Sequence, residues 1–197
     1  TGWDADDGAW FTFLNGLTIM LSNNDSATGV MATYDGTTIA AVSGEPAGRF
    51  LETFRDRAYT VGNGANSTFP VTRVFFSNLG DATSWPTTLA DNSFDLEDVT
   101  GEPIVGIKQY RQNLLLFKIS SFYRYSGSLP VKQVSASFGI HNDKCLQEIN
   151  GILYGIGPKG AFATNGISVV EISKPVKQYL QDFNFNRIAG TSTLQTM

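Results

Sequence analysis

Short apolar runs, each opened by a polar turn pair, recur along this chain. The phrase first reads Phe13-Leu14-Asn15-Gly16-Leu17-Thr18-Ile19-Met20, then Phe54-Arg55-Asp56-Arg57-Ala58-Tyr59-Thr60-Val61. It returns as Tyr110-Arg111-Gln112-Asn113-Leu114-Leu115-Leu116-Phe117 and, more loosely, as Glu148-Ile149-Asn150-Gly151-Ile152-Leu153-Tyr154-Gly155. In each copy a turn pair (Asn15-Gly16, Asp56-Arg57, Gln112-Asn113, Asn150-Gly151) feeds an apolar run, which is how a β-hairpin begins. The pairs lie about 41, 56 and 38 residues apart, near the length of one β-propeller blade and unlike a helical repeat. One such unit cannot bury its apolar face alone, whereas a stack of them can.

The pattern predicts an all-β chain of about four antiparallel blades, part of a larger propeller ring. Expected strands in the first unit flank Asn15-Gly16 and then Tyr34-Asp35-Gly36-Thr37, an Asp-Gly hairpin signal. The second unit has strands at Phe50–Thr53, Ala58–Val61 and Thr72–Ser77, followed by a long excursion from Ser84 to Glu102. The third holds four extended segments in succession, Ile104–Tyr110, Asn113–Ile119, Ser121–Tyr125 and Val131–Gly139. The fourth runs from Cys145 through Leu153–Ile156, Gly160–Thr164 and Ile167–Ile172. Approximate blades are 8–45, 49–102, 103–142 and 143–182 of one partial propeller domain spanning 1–197, with 183–197 starting a further strand. One short helix is expected near 175–182, capped by Ser173 with Pro175 in its first turn. The alternation Phe183-Asn184-Phe185-Asn186-Arg187-Ile188 reads as a strand without a partner, so the chain reads as a piece of a longer polypeptide.

Composition narrows the choice of partner. With 42% apolar residues a sizeable core can form, while only 16% are charged, below the roughly 25% usual in soluble domains. Twenty glycines and 14 phenylalanines suit turn-rich sheets partly covered by neighbours. The net charge of −4 leaves no basic stripe to neutralise phosphates. The single cysteine, Cys145, excludes an internal disulfide and a cysteine zinc cluster, and reads as a small buried apolar residue. No apolar stretch approaches the roughly 18 residues of a membrane helix.

Candidate chemistry is sparse. Ser77-Asn78-Leu79-Gly80-Asp81-Ala82-Thr83-Ser84-Trp85 has the residue types of a sialidase Asp-box but the wrong order, and reads as a structural turn. Glycoside hydrolysis needs two converging carboxylates; Asp35, Asp56, Asp81, Asp95, Asp98 and Glu148 are available. Asp35 and Asp56 sit in turns, where Asp bonds its own backbone. His141 is the sole histidine, so a two-histidine metal site is excluded and a triad through it is disfavoured. Asp4-Ala5-Asp6-Asp7-Gly8 and Asp95-Leu96-Glu97-Asp98 lack the calcium-loop spacing. Phe122, Tyr123 and Tyr125 could stack on a sugar, but packing between blades explains them more simply. No catalytic residue, cofactor or metal is therefore expected. From Asp91 to Glu102 five acids occur without a Lys or Arg. Asp95, Glu97 and Asp98 in that stretch are the candidate interface, expected to project towards basic groups of a neighbouring chain.

The order of phrases along the chain resembles phage tail proteins of the β-propeller type. The similar segments are Phe54-Arg55-Asp56-Arg57-Ala58-Tyr59, Gly62-Asn63-Gly64, and Arg73-Val74-Phe75-Phe76-Ser77-Asn78-Leu79-Gly80-Asp81 with Trp85 behind it. Asp98-Val99-Thr100-Gly101-Glu102-Pro103-Ile104-Val105-Gly106-Ile107 and Leu114-Leu115-Leu116-Phe117-Lys118, leading to Ser121-Phe122-Tyr123, continue it. The last are Gly139-Ile140, Asn150-Gly151-Ile152-Leu153-Tyr154 and Gly157-Pro158-Lys159-Gly160-Ala161-Phe162. The resemblance covers most of residues 10–182. It implies a virion structural protein, not an enzyme, located in the tail as a ring or nozzle at the tail tube. Implied partners are other copies of itself, adjacent tail proteins, and phage DNA that passes without specific binding. A receptor- or glycan-binding tail module, touching the host surface, is the first alternative; a glycan-degrading propeller enzyme is the second.

Overall fold

The computed structural model describes residues 8–22, 30–86, 92–96, 101–176 and 179. Among them the chain is all-β, in four four-stranded antiparallel sheets of consecutive strands. The first sheet holds β1 (Ala9–Leu14), β2 (Leu17–Ser22), β3 (Met31–Tyr34) and β4 (Ile39–Ala41). The second holds β5 (Gly48–Phe54), β6 (Arg57–Gly62), β7 (Arg73–Phe76) and β8 (Ser93–Asp95). The third holds β9 (Gly106–Tyr110), β10 (Asn113–Phe117), β11 (Phe122–Tyr125) and β12 (Lys132–Ser135). The fourth holds β13 (Leu146–Ile149), β14 (Ile152–Gly157), β15 (Gly160–Thr164) and β16 (Val169–Glu171).

The repeated phrase is the first hairpin of each sheet. Its two-residue turns are Asn15-Gly16, Arg55-Asp56, Arg111-Gln112 and Asn150-Gly151. Leu14 faces Leu17, Phe54 faces Arg57, Tyr110 faces Asn113 and Ile149 faces Ile152 across them. The second and third turns thus begin one residue earlier than the sequence suggests. Tight hairpins need positive φ; Asn-Gly supplies it readily, and here Arg55, Asp56 and Arg111 adopt it too.

Period-2 alternation gives each sheet two faces. We call the face turned to the next sheet leading and the face turned to the preceding sheet trailing. Leu14, Ile19, Leu21 and Met31 on the first leading face meet Leu51, Ala58 and Phe75 on the second trailing face. Phe54, Tyr59, Val61, Val74 and Phe94 of the second sheet meet Ile107, Leu114, Leu116, Tyr123 and Tyr125 of the third. Tyr110, Leu115, Phe117 and Phe122 of the third meet Leu153 and Phe162 of the fourth. Aromatic rings fill the later junctions: Phe94 stacks on Tyr125 at 4.7 Å, and Phe122 lies between Phe117 and Phe162. Three cores separate four sheets, so the sheets form one continuous stack.

The acidic excursion contains a strand that the sequence does not announce. Ser93–Asp95 completes the second sheet by pairing with β7. Phe94 is its only apolar residue, and it enters the core between the second and third sheets. Lys118 is fully buried nearby and donates to the Leu96 carbonyl at 3.2 Å. Of the helix expected near 175–182, a 3-10 turn at Lys174–Val176 is seen; most of its remainder, and the strand expected from 183, lie outside the described residues.

Candidate functional site

The first strands of the sheets gather on one side of the stack and line a half-open cavity of about 440 Å³. Its walls come from all four sheets: Trp10 and Phe11 of β1, Leu51 and Glu52 of β5, Ile107 and Lys108 of β9, Gln147 and Glu148 of β13. Asp143, in the 3-10 turn ahead of β13, completes the wall. The hairpin spacing explains how polar groups reach it. Thr12, Glu52, Lys108 and Gln147 each stand three residues before their turn, and the last three line the cavity. That recurring polar position in the first strand of each sheet is the sequence signal for the site.

The polar groups are largely engaged with one another. Lys108 Nζ lies 3.4 Å from Glu52 Oε2. Burial pushes the Glu52 carboxyl above its ordinary range, and the Lys108 charge opposes that shift. The Trp10 indole N–H donates to Asp143 Oδ2 at 2.7 Å, joining the first sheet to the entrance of the fourth across 133 residues. Thr12 and Thr53 share a 2.6 Å hydroxyl bond where the first two sheets meet. Among the described residues no group of three or more His, Cys, Asp or Glu is placed to hold a metal ion. A wall of aromatic rings, one cation, an amide and three carboxylates can bind a small polar molecule.

The acids singled out from sequence are spread over the molecule. Among the described residues Glu148 alone of these acids lines the cavity, where Glu52 and Asp143, which the sequence does not single out, join it. Asp35 accepts from the Thr37 and Thr38 amides, and the Thr38 bond is the main reason its carboxyl is held below the usual range. Asp56 occupies a hairpin turn at positive φ. Asp81 accepts from the Thr83 hydroxyl and amide, which lower its pKa in that order. With Trp85 Nε1 donating to the Ala82 carbonyl at 2.9 Å, the Ser77–Trp85 segment is a self-bonded turn. Gly80 of this turn accepts from Asn15 Nδ2 at 2.9 Å, tying it to the first sheet's hairpin.

Asp95 lies in β8 and forms a two-point pair with Arg73, at 2.7 Å to Nε and 2.6 Å to Nη2. Glu97 and Asp98, the other two candidate interface residues, lie outside the described residues. Glu102, at the end of the acidic stretch, accepts from the Ser120 hydroxyl at 2.6 Å. His141 is in an irregular segment where burial lowers its pKa. Cys145 is half-buried against the third core, and burial raises its thiol pKa. Phe122, Tyr123 and Tyr125 are buried between sheets: Phe122 faces the fourth, the two tyrosines the second.

Among the described residues no helix is long and apolar enough to cross a membrane. No family model matches the sequence, and no curated protein matches it either. Solved structures to which the chain is similar include the crystal structure of BBS1N in complex with ARL6DN, soaked with mercury. That chain is 12% identical, the TM-score is 0.48, and the match covers 86% of this chain. The chain spans 55% of the length of the structure it matches.

Proposed function

We propose that this chain is a run of β-propeller blades that serves as a structural subunit of a bacteriophage tail. The observation that carries the structural role is that the stack is apolar on both of its ends. Phe11, Phe13, Tyr34 and Ile39 are exposed on the trailing face of the first sheet, and Ile149, Ile152, Val170 and Ile172 on the leading face of the fourth. Isolated exposed apolar residues need no explanation, but contiguous faces mark surfaces built to be covered. Stacked sheets covered on both faces make a stiff wall without open flanks. The placement in a tail rests on the resemblance of phrases along residues 10–182. Its test is immunogold labelling of purified phage particles with antibody raised against this chain. Gold at the tail supports the reading; the chain recovered only from the soluble fraction of lysed cells overturns it.

A second reading, a module that binds a saccharide, is favoured by the cavity with Trp10, Gln147 and three carboxylates. Sugars combine a flat apolar face with many hydroxyls, which suits an aromatic wall flanked by donors and acceptors. Isothermal titration with host envelope oligosaccharides tests it. Saturable heat that Glu148→Gln reduces several-fold supports binding in the cavity, and no heat at millimolar ligand removes it.

A further inference from the structure

The three junctions inside the stack obey one rule, and each end of the stack presents one of the two faces that the rule pairs. At every junction the leading face of one sheet covers the trailing face of the next. The residue just before each first turn is the marker of the leading face: Leu14, Phe54 and Tyr110 are buried against the following sheet. Ile149 holds that position in the fourth sheet and is exposed. Four residues before the turn, Leu51 and Ile107 mark trailing faces and are buried. Phe11 holds that position in the first sheet and is exposed.

We propose that a second copy of this chain docks head to tail, the trailing face of its first sheet covering the leading face of the fourth. The chemistry of the two faces matches that of the junctions already formed. One offers Phe11, Phe13, Met20, Tyr34 and Ile39; the other offers Ile149, Ile152, Tyr154, Val170 and Ile172. Neither places a charge on these strand positions, so the contact buries no unpaired ion. The turns carry the rule as well. Asn15 donates to Gly80 of the second sheet, and Arg111 donates to the Gly151 carbonyl of the fourth at 3.0 Å. Asn150 holds the corresponding turn position in the fourth sheet. Because the two surfaces differ, the interface is heterologous, and the rotation per copy decides whether the assembly closes into a ring.

This deepens the assembly reading without requiring a virion: self-association stands if the chain is absent from tails, and a tail location stands if the chain is monomeric. The test is light scattering coupled to size exclusion, from micromolar to submillimolar, on the wild-type chain, Phe13→Lys, Ile152→Lys and their equimolar mixture. Wild type is expected at two copies or more. Each variant alone is expected at one copy, because every contact it could form contains one damaged face. The mixture is expected to regain the two-copy mass, since each variant retains the face the other lacks. Circular dichroism of the variants should match wild type; if a lysine variant misfolds, Phe13→Ser and Ile152→Ser replace it. A monomeric wild type overturns the proposal. So does a mixture that stays monomeric, or a Phe13→Lys variant that self-associates like wild type, which would indicate pairing of like faces.

Discussion

Two surfaces of this molecule carry the same residue types at the same strand positions and meet opposite fates. Phe54, just before the second turn, is 4% exposed, whereas Ile149, just before the fourth, is 52% exposed. Leu51 is 5% exposed and Phe11, its equivalent in the first sheet, 60%. Local sequence does not distinguish them, since both kinds of face alternate like half-buried strands. Position in the stack decides. An interior sheet receives a neighbour on each side, and an end sheet on one side only. Among the described residues the two apolar ends thus have the character of interior surfaces that no other sheet covers.

Truncating one aromatic ring on each kind of surface should separate the two most widely. Phe122→Ala, between Phe117 and Phe162, should cost about 3–5 kcal/mol, the range for a fully buried phenylalanine. Phe13→Ala on the free face should stay within about 0.5 kcal/mol, measured by urea denaturation of dilute protein. Equal losses would show that the first sheet's outer face is covered in solution.

A second test probes how closely the backbone packs beside the third sheet, where the segment after β12 passes the β10–β11 loop. A Cβ at Gly139 would stand 2.1 Å from the Lys118 carbonyl oxygen and 2.5 Å from that of Ile119. Backbone cannot yield as a side chain does, so Gly139→Ala should cost about 1–3 kcal/mol in thermal unfolding. Gly16→Ala has open space around it and meets only the penalty of its positive φ, which is about 1 kcal/mol.

Smaller effects sharpen the roles of the charges. Arg73→Ala removes a two-point pair with Asp95 whose side chains are 18% and 29% exposed. It should cost about 1 kcal/mol and lose part of that cost at molar salt. If the loss is nil, Asp95 is free for a neighbouring chain. Smallest is Glu52→Gln. Burial raises the Glu52 pKa, so the folded chain holds this proton more tightly than the unfolded one. Its contribution is full below its ordinary 4.5 and declines as pH rises through the higher folded value. The variant cannot ionise, so its stability relative to wild type should improve between about pH 4 and 7, by less than about 1 kcal/mol after solvent screening. A flat difference across that range would show that Lys108 fully offsets the burial.

Much of the fold could be read from the chain because its signals are short-range. Asn15-Gly16 and Asn150-Gly151 announce their hairpins, and β10 and β11 of the third sheet are apolar and aromatic enough to stand out. Arg55-Asp56 and Arg111-Gln112 hide their turns, since arginine at positive φ is held there by the sheet around it rather than by its own preference. Ser93–Asp95 escapes notice because an outer strand needs only Phe94 to reach the core, and its acids resemble a loop. The cavity is harder still. Glu52, Lys108, Asp143 and Glu148 are separated by up to 96 residues and meet only because the first strands converge. Sequence lists the acids of the chain without saying which of them share a wall.

The Trp10 indole bond to Asp143 changes how this array should come apart. In a simple row of units each end frays on its own, at a cost set by its single neighbour. Here peeling away the first sheet breaks a bond to the entrance of the fourth, and peeling away the fourth breaks the same bond. One hydrogen bond thus makes the loosening of either end ease the loosening of the other. Amide exchange in β1 and β13 should accelerate together in Trp10→Phe, with β7 and β10 in the middle of the stack unaffected.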